Sequence, residues 1–158
     1  MEGRTLMLGK KFADYIRFQS WILILIFAVF IVRLALSLNG APFSQIKWFS
    51  MNLVLFLGLV YCSVAVHTRG FGAYRQLFGL LLVQNVFSHM LIALAIVLSI
   101  VTGTPNVFTA PEVSGGSEGA NWFHVLAHVI GGFLVTVFAW LFGSLILFAT
   151  RKLKPNVG

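Results

Sequence analysis

Acid is scarce in this sequence. Of 158 residues only four are Asp or Glu, at Glu2, Asp14, Glu112 and Glu118, and none falls inside a long apolar run. That absence removes the carboxylate that a small proton-coupled exporter would use within the membrane. Cysteine is nearly missing too. The single Cys62 cannot form an internal disulfide, whereas a membrane thiol oxidoreductase would need at least a pair. The four prolines all lie outside the apolar runs, so no span is broken in the manner of transporters that build sites from discontinuous helices. No filter-like repeat supports a channel. Gly70 and Gly72 follow no strand and do not form a phosphate loop.

What the chain does have is apolar surface. Hydrophobic residues make up 59% and charged residues 9%, with a mean hydropathy of +0.94, a balance that a water-soluble domain of this size could not sustain. A helix needs roughly 20 apolar residues to cross about 30 Å of hydrocarbon. The length therefore accommodates four spans and no separate soluble domain. We expect an all-α integral membrane four-helix bundle, one domain over residues 1–158, with spans near 18–38, 48–66, 77–101 and 122–150.

The formal charge of +7 is explained by where the basic residues stand. Arg4, Lys10, Lys11 and Arg17, then Arg69 and Arg75, then Arg151, Lys152 and Lys154 occupy the N-terminus, the second connection and the C-terminus. In a four-span chain these share one side. The positive-inside rule puts both termini in the cytoplasm and loop 102–121 outside, the chain being integral to the plasma (inner) membrane. Attraction to anionic headgroups then accounts for the charge without nucleic acid.

Residues 1–17 read as a cytoplasmic amphipathic segment, either a helix on the membrane surface or a frayed basic tail. A cleaved signal peptide is the rival reading of the first span, but Arg33 interrupts its end and no A-x-A site follows. Arg33 itself has two readings. It can snorkel to the outer interface, or turn inward to hold an anionic headgroup or a carboxylate. The loop 102–121 is long for a compact bundle, and Phe108 with the Ala-Pro pair favours a partly ordered cap.

Candidate chemistry gathers in the last two spans. Gln84, Asn85, Ser88 and His89 occupy an arc of roughly 140° on the third span, and in hydrocarbon such groups must face protein or a hydrated cavity. On the fourth span, His124, His128, Gly132, Thr136, Trp140 and Ser144 form one row. Ala127, Gly131, Val135, Ala139 and Gly143 form another beside it. Small and polar residues suit a neighbouring helix better than lipid, while Phe133, Leu134, Phe138, Leu141, Leu145 and Phe148 suit acyl chains.

His124 and His128, four residues apart, could share a metal that Glu118 or Glu112 completes. His89 and His128 could instead flank a b-type haem, with Asn85, Gly131 and Gly132 beside it. Counted from the span ends, however, the two histidines differ in depth by roughly 6 to 9 Å.

Two functions follow. In the first, which we take as the expectation, the protein is a non-catalytic subunit, anchor or scaffold that packs a polar and small face of its third and fourth helices against another membrane subunit or against copies of itself. In the second it is a redox or metal-binding membrane protein, carrying haem b, quinone or a metal on histidines in the outer half of the bundle. The reading leans away from an enzyme.

Overall fold

The computed structural model describes residues 6–114 and 119–154, and it is mostly helical, with four helices long and apolar enough to cross a membrane. Within residues 1–17, read above as a surface helix or a frayed tail, the first described residues form a hairpin and a short helix follows it. Strands β1 (Leu6–Met7) and β2 (Lys10–Lys11) pair antiparallel. Leu8 and Gly9 both take positive φ, 50° and 90°, which is what the tightest hairpin turns demand. Helix α1 (Phe12–Phe18) follows, with the Asp14 carboxylate accepting a hydrogen bond from the Lys11 backbone N–H at 3.1 Å.

Gln19 separates α1 from the first long helix, α2 (Ser20–Leu38). A short turn of helix, α3 (Phe43–Ile46), then precedes α4 (Met51–Thr68), so the continuous helix of the second span starts at Met51 while the apolar segment that can cross the membrane runs from Phe43. The reason is local. Ser50 is extended and its hydroxyl accepts from the Leu53 N–H at 3.2 Å, which fixes the N-terminus there. Helix α5 (Tyr74–Thr102) begins earlier than the apolar run, because Gln76 reaches back to the Ala73 N–H, and stops at Gly103, whose φ of 65° is left-handed. The connection after α5 carries another turn of helix, α6 (Pro111–Ser114). Asn121 then caps the 32-residue α7 (Trp122–Leu153) by accepting from the His124 N–H at 2.8 Å.

Helix α5 is the hub. Its most extensive packing is with α7, and α4 and α2 also lie against it. Close approach depends on missing side chains. A Cβ on Gly132 would come within 3.1 Å of the His89 Cβ, and one on Gly143 within 2.7 Å of the Ser63 hydroxyl. The row that sequence reading assigned to a protein contact is thus used within the chain: Gly132, Thr136, Gly143 and Leu147 are the buried residues of α7. Its other faces, with Phe133, Leu134, Phe138, Leu141, Leu145 and Phe148, are exposed, as lipid contact requires.

The basic connections collect at one end of the molecule. There Gln76 Nε2 donates to the Leu8 carbonyl at 3.0 Å, tying the hairpin to α5, and His67 Nε2 donates to the Lys154 carbonyl at 2.7 Å, tying α4 to the end of α7. The loop end is closed differently. Asn106 donates through Nδ2 to the Ala95 carbonyl at 2.7 Å, and Phe108, 2% exposed, stacks on Phe30. The loop after α5 therefore folds back down the helix it has just left.

Arg33 reaches this cap as well. Its Nη1 donates to the Phe49 carbonyl at 2.8 Å, and the guanidinium lies 5.5 Å from the centre of the Phe108 ring. It also lines a small cavity together with Ser50, Asn52 and Phe108. It binds α2 to the segment before α4, because a main-chain carbonyl was within reach of a side chain that had to leave hydrocarbon.

Candidate functional site

The polar arc of α5 divides in two. Gln84, Asn85 and Ser88 are buried, whereas His89 is half-exposed at the edge of the α5–α7 contact. His124 and His128 stand on the same edge of α7, also half-exposed.

The three imidazoles form a hydrogen-bonded chain. The Gly119 carbonyl meets His124 Nδ1 at 2.8 Å, His124 Nε2 meets His128 Nε2 at 3.2 Å, and His128 Nδ1 meets His89 Nδ1 at 3.1 Å. A carbonyl can only accept, so the His124 proton sits on Nδ1. A neutral imidazole has one donor and one acceptor, which leaves His124 Nε2 as acceptor and makes His128 Nε2 a donor. By the same logic His89 donates through Nδ1, and its Nε2 carries a lone pair. One backbone carbonyl thereby sets the tautomer of all three rings, and the chain ends at His89 on an acceptor with no hydrogen bond to the described residues.

The depth offset expected between His89 and His128 is absent, since their rings touch. Counting failed because the helix ends are not level. His89 lies 13 residues before the end of α5 (102 − 89), and His128 only six after the start of α7 (128 − 122). The last turns of α5 therefore rise beyond the start of α7, and the folded-back loop packs along one side of them at Ala95 and Ser99.

This geometry bears on each proposed ligand. His128 presents one nitrogen to His89 and the opposite one to His124, so a single ion cannot bind all three rings as they stand. Among the described residues no group of three or more His, Cys, Asp or Glu is arranged to hold a metal. Glu118 lies outside the described residues, and Glu112 is exposed on α6. A macrocycle needs its two axial nitrogens on opposite sides of a plane, but His89 Nδ1 and His128 Nδ1 are one hydrogen bond apart. The space beside Gly132 is filled by the His89 side chain rather than kept open, and a Cβ on Gly131 would be in ordinary contact with the same ring, 3.6 Å from Cε1.

Asn85 does line a cavity. It measures about 180 Å³ and lies between α4, α5 and α7, with Asn52, Gln84, Leu81, Val135 and Ala139 among its walls. Asn85 Nδ2 donates to the Leu81 carbonyl at 2.9 Å. Asn85 and Val135 each stand one turn further from the loop end than His89 and Gly131, so the cavity adjoins the level of the histidines.

A second polar group escaped sequence reading. Gln84 Nε2 donates to Gln19 Oε1 at 2.7 Å and approaches the Cys62 sulfur at 3.1 Å, while Gln19 Nε2 donates to the Leu80 carbonyl at 3.2 Å. Gln19, Cys62 and Gln84 are at most 1% exposed. The signal was available: two carboxamides inside apolar runs have nowhere to go but to each other.

No protein-family model, curated protein or solved structure matches the chain. Function must therefore be argued from this geometry.

Proposed function

We propose that the protein is a non-catalytic membrane subunit or anchor, a four-helix bundle with both termini in the cytoplasm, that associates through the outer-half edge of α5 and α7. The observation that supports this is the half-exposed histidine chain. Polar side chains within a span are costly against acyl tails and are found facing protein or water, yet these three satisfy one another only in part and leave His89 Nε2 without a hydrogen bond to the described residues. Ala127, Gly131 and Val135 lie beside them on α7, small enough to let a neighbouring helix come close. A helix from another membrane subunit, or from a second copy, would cover the edge and donate to His89 Nε2.

The test is association in native membranes. Gly131→Leu, at a position where a Cβ meets only ordinary contacts, should leave the chain folded and disrupt the complex. Ala127→Cys in a Cys62→Ala background should cross-link to the neighbour on oxidation. A wild-type chain that stays monomeric and alone under mild extraction would overturn the reading. A Soret band or stoichiometric metal that disappears in His128→Ala would replace it with the redox or metal-binding alternative.

A further inference from the structure

On the flank of α7 away from the histidines a groove of about 570 Å³ opens between α1, α2, α5 and α7, lined by Phe12, Ile16, Leu82, Val86, Met90 and Phe133 among other apolar side chains. Phe133 and Gly131 are two residues apart, roughly 200° around the helix, so on α7 the groove and the proposed partner edge lie on opposite faces. We propose that this groove binds one acyl chain of an anionic phospholipid, whose headgroup is held by Arg75 and Lys11.

Four observations lead there. The groove is bounded toward the basic end by the hairpin and α1, which Gln76 pins to α5, and it runs from that end toward the middle of the spans. A chain seated in it meets walls from several helices rather than the single surface that an annular lipid touches. Its size fits a chain and not a helix: a helix is about 10–12 Å across and would need roughly twice this volume over two to three turns.

Charge then selects the headgroup. Arg75 precedes Leu82 and Val86 by seven and eleven residues and so shares their face of α5. Lys11 directly precedes Phe12, and both Arg75 and Lys11 are exposed. The only described acid at this end, Asp14, already accepts from the Lys11 backbone. A guanidinium fork matches phosphate oxygens. The site therefore offers an apolar slot beneath a basic mouth, which is the shape of a phospholipid with net negative charge.

The inference needs only that the chain is membrane-embedded, and holds whether or not a partner covers the histidines. Resistance to carbonate extraction tests that embedding separately. The site itself is tested on the full-length, delipidated protein in detergent, by native mass spectrometry with phosphatidylglycerol or phosphatidylcholine of identical chains. We expect one tightly retained phosphatidylglycerol per chain, favoured about 25-fold over phosphatidylcholine. Arg75→Gln and Lys11→Gln should each reduce that preference about fivefold without changing phosphatidylcholine binding. Val86→Trp, or Phe133→Trp from the opposite wall, should displace both lipids while the lipid-free melting temperature holds. Equal binding of the two headgroups, or unchanged retention in a folded tryptophan variant, would overturn the proposal and leave only annular lipid.

Discussion

Two polar clusters lie inside apolar helices here, and they have been treated differently. The Gln19–Cys62–Gln84 cluster is sealed. Its members are at most 1% exposed, its carboxamides bond one another and the Leu80 carbonyl, and Gly58 is glycine because a Cβ would lie 2.5 Å from Gln84 Oε1 and 3.0 Å from Ile22. The histidine chain is open. Its rings are half-exposed and it ends on an acceptor that nothing described satisfies. A sealed network specifies how helices pack. An open one at membrane depth asks for something more, and for that reason the functional proposal rests on the histidines and not on the glutamines.

The comparison breaks most visibly at Gly58. Gly58→Val would force a branched side chain onto Gln84 Oε1 and the Ile22 side chain, so that the carboxamide must leave its place in the cluster. Overpacking of this kind costs about 1–3 kcal/mol, and the loss should appear as a lower unfolding midpoint in detergent or bicelles. If the midpoint were unchanged, the cluster would not be the closed lock described above.

The matching substitution in the open cluster should behave otherwise. His89→Leu removes one donor from His128, and interhelical hydrogen bonds in membranes are worth only about 0.6 kcal/mol on average, with a maximum near 1.7. We expect a loss of about 1 kcal/mol in the isolated chain together with loss of the complex. A loss as large as that from Gly58→Val would mean that the histidines serve the fold alone.

How far the sequence revealed these clusters follows from what each depends on. Apolar runs and the distribution of Lys and Arg are local properties, so the existence of four long helices was legible. So was the demand that Gln84, Asn85 and Ser88 be buried, because hydrocarbon offers them no partner. Which partner they take depends on how helices are staggered, and that is set by side chains far apart in the chain. The contact between His89 and His128 was obscured because α5 outruns α7 at the loop end. Arg33 was read in terms of lipid because the Phe49 carbonyl becomes an available acceptor only once α3 breaks the helix. The hairpin at residues 6–11 was hidden as well, since two-residue strands leave no periodic pattern.

The smallest expected effect probes the boundary of the sealed region. Tyr15 is fully buried, its ring meets Phe71 edge-on at 5.4 Å, and its hydroxyl has no hydrogen-bond partner among the described residues. Burial pushes its pKa up, although nearby Arg75 pulls in the opposite direction. The ring is needed where it stands, since a Cβ on Gly79 would lie only 2.5 Å from its Cε1. The oxygen is not. Tyr15→Phe keeps the ring and deletes an unsatisfied polar atom, so stability should rise by about 0.5 kcal/mol, at the low end of what hydroxyl changes produce. A loss of similar size would show that the hydroxyl is bonded in the membrane after all. The sealed region would then extend beyond the glutamines to the mouth of the lipid groove, where Arg75 stands.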